Sequence, residues 1–94
     1  MALKKDYATK FGITVPDAYI VIDAFMFDKK VNLARVMASV YASEQARNDG
    51  MPPIAHRELI AEFPYKEGDG DEKIIQMGYE VLKLMPELSG AEDV

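Results

Sequence analysis

The chain contains no cysteine, which excludes disulfides, thiolate metal sites and cysteine nucleophiles and fits a reducing compartment. It has one histidine, His56, in "IAHREL". No Ser, Cys or Asp is spaced as a recognisable catalytic partner, so a solvated or strand-edge histidine is the simpler reading. A metal site would need several converging His or carboxylate ligands. No G-x-G-x-x-G, G-K-[ST] or G-x-S-x-G motif occurs, so no phosphate-binding loop or nucleophile elbow is signalled. No cofactor, no metal and no catalytic residue is therefore expected, and the chain reads as a non-enzyme.

Long apolar runs are also missing. The longest, "AYIVIDAFMF", is broken by Asp23 and falls short of the ~20 residues that span a bilayer. The opening "MALKKDYATK" has basic residues with no apolar stretch behind them, so no secretory signal and no membrane partner are expected. An excess of basic charge is absent too: the formal net charge is -5, and paired lysines occur only at Lys4-Lys5 and Lys29-Lys30. Phosphate contacts need a basic surface, so nucleic acid is not an expected partner.

What is present describes a globular unit. Hydrophobic residues make up 49% and charged residues 29% of 94 positions, an ordinary balance that argues against wholesale disorder. One domain over 1–94 is expected, with flexible ends at about 1–8 and 89–94. At this size, folding buries about 60–65% of the chain's surface, so the core is modest.

The run "FGITVPDAYIVIDAFMF" is rich in Ile, Val, Phe and Tyr and is punctuated by Gly, Pro and Asp, as strands are. Pro16 is expected to separate a short strand at Ile13 to Val15 from a longer one at Ala18 to Phe27, with Asp28 to Lys30 as a hairpin loop. A three-residue loop sets Phe27 opposite Val31, Phe25 opposite Leu33 and Asp23 opposite Arg35. Asp23, the one carboxylate in an apolar context, then meets a cation. A two-residue loop would strand both charges. Such a cross-strand pair is worth only about 0.2–1 kcal/mol, but an unpaired buried carboxylate costs several times more.

The following segment admits a rival. Leu33, Val36, Met37, Val40 and Tyr41 also fall at helical spacing, with Asn32 as a cap and Gly50 as a stop. Strand is the preferred reading of Val31 to Ala42, on the register. Beyond it, "ARNDGMPP" is a loop. "HRELIAEFPY" alternates, with Leu59, Ala61 and Phe63 facing one way and Glu58, Ile60 and Glu62 mostly the other, the pattern of a sheet wet on one side.

The acidic stretch "EFPYKEGDGDEKII" raises the question of calcium. An EF-hand loop from Asp69 would put Lys73 at a ligand position and Ile74 where glycine is needed; one from Glu67 would put Glu72 at the glycine and Gly78 at the bidentate position. Both alignments fail. The stretch reads instead as a helix start, with Asp69 as cap, Glu72 three residues on, and acidic residues at the positive end of the helix dipole. That helix runs to Met85, where Pro86 stops it. Ile74, Ile75, Gly78, Val81, Leu82 and Met85 make its apolar stripe, and Gly78, unfavourable in a helix by about 1 kcal/mol, marks close contact with the sheet. Leu88 folds back on the core and "GAEDV" ends as an acidic tail. Tyr19, Phe25, Phe27, Phe63 and Tyr79 are core aromatics, and the six methionines suggest adaptable packing.

The expected architecture is α+β: an antiparallel three- to four-stranded β-meander with one C-terminal α-helix packed on one face. An exposed edge strand offers a route to a homo-oligomer.

The order Lys4-Lys5, Phe11-Gly12-Ile13, Asp17-Ala18-Tyr19, a strand containing Tyr41, then Leu82-Lys83, Pro86-Glu87 and Gly90-Ala91 resembles small proteins of tailed bacteriophages and prophages, many without assigned function. The resemblance covers nearly the whole chain and lies in fold-forming residues rather than a catalytic signature. It agrees with the strand reading of Val31 to Ala42. It implies a phage-encoded protein of the bacterial host cytoplasm or the virion, meeting other phage or host proteins. A virion structural or assembly accessory role by protein–protein contact is the first expectation. The alternative is a host-directed inhibitor or acidic nucleic-acid mimic, with Glu58, Glu62, Glu67, Asp69, Asp71 and Glu72 as its negative face.

Overall fold

The computed structural model of the protein describes residues 2–66, 68 and 70–94. In chain order the elements are β1 (Leu3–Ala8), β2 (Thr14–Asp28), β3 (Leu33–Tyr41), α1 (Glu44–Asn48), β4 (Ala55–Pro64), α2 (Asp71–Leu82), a 3-10 turn (Pro86–Leu88) and β5 (Glu92–Asp93). The strands form one antiparallel sheet in the order β4-β3-β2-β1-β5. The architecture is thus α+β, as expected. The sheet has five strands rather than three or four, and a second helix, α1, accompanies the C-terminal one.

Segments near both ends of the described chain join the sheet. Leu3 is fully buried, β1 pairs along β2, and β5 pairs with β1. The backbones of Ala2 and Val94 exchange hydrogen bonds of 3.1 and 3.0 Å. Residues 3–8, expected as part of a flexible end, are a strand that the sequence did not announce, because "LKKDYA" alternates only weakly, with its charges hiding the buried Leu3 and Tyr7. Likewise "AEDV" carries no apolar pattern, yet Asp93 and Glu92 pair with Leu3 and Lys4 at the start of β1's outer edge.

Pro16 does not divide β2. Lys5 lies opposite Ala18 and Tyr7 opposite Val15, so Asp6 faces both Pro16 and Asp17 across a bulge. Asp17 takes a positive φ of 49° there, and its N–H donates to the Asp6 carboxylate at 2.9 Å. A bulge places proline in a strand without breaking a ladder bond.

The β2–β3 register also differs from the sequence expectation. Asp28 pairs with Leu33, leaving the four-residue loop 29–32, and Phe25 pairs with Val36. Asn32 supplies a positive φ of 53° in that loop, and the Asp28 carboxylate accepts the Lys30 N–H at 3.0 Å. A second irregularity, between Ile22 and Ala24, inserts Asp23 as an extra residue. Before it the even residues Ala18, Ile20 and Ile22 join the core; after it Phe25 does. The insertion thus switches which residues of β2 face α2.

Strand wins over helix for β3 because its alternation is served on both sides. Ala34, Val36, Ala38 and Val40 are buried between neighbours on β2 and β4. The helical tendency is met only later, where Ser43 caps α1 by accepting the Ala46 N–H at 3.0 Å; Ala46–Asn48, read as loop from sequence, therefore belong to a helix.

Helix α2 lies on the face that carries Ile22 and Val36. A Cβ on Gly78 would meet both Val36 methyls at 2.9 Å, so the glycine sets the helix-to-sheet spacing as its position in the stripe suggested. Ile74, Tyr79, Leu82 and, beyond the helix, Leu88 complete this layer. The helix ends at Leu82 rather than Met85. Its cap position is held by Gly70, with no side-chain cap bond. Asp69, the expected cap, lies outside the described residues, and Glu72 is an exposed residue of the first turn.

Candidate functional site

Alternation puts Leu33, Arg35, Met37, Ser39 and Tyr41 of β3 on the face away from α2. The register lays neighbours beside them: Met26, Arg35 and Glu62 form one row across β2, β3 and β4, and Ala24, Met37 and Ile60 form the next. Leu33 lies in a third row with Asp28 and Pro64. Met26 and Ile60 retain 55% and 47% of their exposure. The residues Met26, Leu33, Met37 and Ile60 thus make an apolar face around a central ion pair, Arg35 with Glu62. Arg35 Nε donates to Glu62 Oε1 at 2.9 Å, and Nη2 donates to the same oxygen. A shallow depression bounded by Met26, Leu33, Arg35 and Glu62 opens at the hairpin end.

Asp23 and Arg35 do not pair. The bulge carries the Asp23 carboxylate toward Ser39 and Arg57: Ser39 Oγ donates to Oδ2 at 2.7 Å and Arg57 Nε to Oδ1 at 3.3 Å. Ser39 also accepts the Arg57 N–H at 3.0 Å. Ser39 is fully buried, and it stands where one β3 residue faces a widened β4, between the pairs Ala38↔Leu59 and Val40↔Ala55. Arg57 occupies the positive-φ region at 52°, a conformation held here by the Ser39 and Asp23 contacts. These three residues stitch two bulges together, a structural role with no nucleophile–base geometry.

The β2 bulge frees the Ile22 N–H from the ladder, and the Tyr79 hydroxyl of α2 accepts it at 2.9 Å. Burial pushes the Tyr79 phenol above the usual tyrosine range, against the opposing pull of that hydrogen bond. Tyr7 is raised as well, first by burial and then by the charges of Glu58 and Glu87.

The expected acidic face is partly neutralised. Glu58 pairs with Lys10 at 2.9 Å, and Glu62 with Arg35. Asp71 and Glu72 stand in the first turn of α2, while Glu67 and Asp69 lie outside the described residues. His56 is exposed. Among the described residues, no group of three or more His, Cys, Asp or Glu side chains could hold a metal ion. No described helix is long and apolar enough to cross a membrane.

Comparison with known proteins returns no matching family model, no matching curated protein and no matching solved structure. What the surface does is therefore read from its own residues. The sequence pattern had marked Ile60 as an outward residue between two glutamates; its apolar neighbours Met26 and Met37 were hidden by the mistaken register.

Proposed function

We propose that the protein acts by protein–protein contact, as a virion structural or assembly accessory protein. The observation that supports this reading is the apolar sheet face of Met26, Leu33, Met37 and Ile60, which α2 leaves uncovered. Exposed methionine and isoleucine side chains gathered on one face are a feature of association surfaces. The phage setting comes from the resemblance of the chain to small phage proteins. The alternative of an acidic mimic draws less support, because Glu58 and Glu62 spend their charge on Lys10 and Arg35.

Mass spectrometry of particles purified after induction of the lysogen that carries the gene tests the proposal. Stoichiometric presence in particles, lost when Ile60 is replaced by Lys in a chain that still folds, is the expected result. Absence from particles and from assembly intermediates would overturn it.

A further inference from the structure

We infer that the occupant of the uncovered sheet face is a second copy of this chain, packed face to face about a two-fold axis near the Arg35–Glu62 pair. The inference rests on the contact reading above and names its partner.

Charge selects the partner. The chain carries a formal net charge of -5, so two copies repel each other on average. On this face the balance is different. Arg35 and Glu62 cancel at its centre, and at its hairpin rim Asp28 faces Lys29 and Lys30 around the same depression. The face offers no single-signed field to steer a strongly acidic or basic partner. It does offer one cation beside one anion. A two-fold axis running along the strands between β3 and β4, where Arg35 and Glu62 stand side by side, sets the arginine of each copy toward the glutamate of the other, so that residue i meets j and j meets i. The Arg35 and Glu62 side chains remain 49% and 45% exposed in one chain, so both can reach across without breaking their own pair. Met26, Met37 and Ile60 flank them and lose their water together.

The β4 edge of the sheet is a less suitable route to self-association. Tyr65 N–H donates to Asn32 O at 3.1 Å, and alternation from that bond turns the backbones of Glu62 and Ile60 outward on β4. Pro64, next in that outward series, has no N–H to offer, and the widened segment 56–58 interrupts the strand at the other side. Proline, bulge and charge together blunt an edge.

Sedimentation velocity and native mass spectrometry over micromolar to millimolar concentrations provide the test, with circular dichroism to confirm folding. The wild-type chain is expected to reach twice its 10.5 kDa mass. Either single charge swap, Arg35→Glu or Glu62→Arg, is expected to weaken the dimer by about 100-fold, because like charges then oppose one another across the axis. An equimolar mixture of the two swapped chains is expected to recover a heterodimer, one all-acidic face against one all-basic face. Ile60→Lys should give monomer with an unchanged fold.

A wild-type chain that stays monomeric throughout would overturn the inference. So would a dimer insensitive to both swaps, which would pair through another surface. Either result leaves the contact reading open to its own test, since a monomeric chain found in particles has a different protein on this face. A chain that dimerises as expected yet never enters particles or intermediates would uphold the inference and remove the virion role.

Discussion

Asp23 shows how one residue's partners depend on a neighbour's backbone. From the sequence its obvious partner is Arg35, because the simplest hairpin places them opposite. The four-residue loop moves Arg35 opposite Met26, and the insertion beyond it turns Asp23 to Ser39 and Arg57 instead. Double-mutant cycles separate the two pairings. Asp23→Asn and Arg57→Gln should couple by about 0.5–1 kcal/mol in urea denaturation, the range for a partly exposed ion pair. Asp23→Asn and Arg35→Gln should be additive, and a measurable coupling between them would contradict the register. The need for a partner was legible in the sequence, since a carboxylate in an apolar strand demands one. Its identity was not, because bulges at residues 23 and 56–58 leave no mark in hydrophobic alternation.

At the scale of elements, α2 and its glycine were the most readable part of the chain. A stripe at helical spacing stands out from sequence alone, and a glycine inside it suggests contact that a side chain would block. Gly78→Ala is expected to gain about 1 kcal/mol of helix propensity and lose about 1–3 kcal/mol by overpacking against Val36. The net effect is a loss of roughly 1 kcal/mol. Val36→Ala in the same chain should relieve the clash, so thermal denaturation of the double variant should show less than the sum of the two single losses. Strand β4 was plain in its alternation, whereas β3 shared its apolar spacing with a helix and was read as strand through a hairpin register that the structure replaces; β1 and β5 left little mark, because they are held by backbone pairing, which side-chain patterns do not report.

For the whole molecule, the buried phenols link stability to alkaline pH. Both Tyr7 and Tyr79 are raised above 10.0 in the folded chain. Below pH 10 they are protonated in folded and unfolded chains alike, and their contribution is fully present. Above it the unfolded chain releases protons that the folded chain still holds, so stability falls as pH rises through the folded values. Lys83, raised from 10.5 by its contacts with Asp93 and Glu80, adds loss of the same sign as pH rises above that value. Tyr79→Phe should make the fall above pH 10 shallower in chemical denaturation. At neutral pH it should cost about 1–3 kcal/mol, because the Ile22 N–H loses its acceptor. An unchanged alkaline slope would show that Tyr79 titrates freely. The uncovered sheet face belongs to this scale as well. Its members are spread over residues 26 to 62, and no stretch of sequence shows them together until the register is known.

The inserted residue at Asp23 has one more consequence, which concerns inheritance. Because it reverses the phase of β2, the number of residues between Ile22 and Phe25 decides which half of the strand meets α2. Substitutions there can be absorbed one at a time. Loss or gain of a single codon cannot, since it would turn Phe25 and every later position of the strand inside out. Lineages of this protein should therefore drift in spelling through this segment while keeping its length.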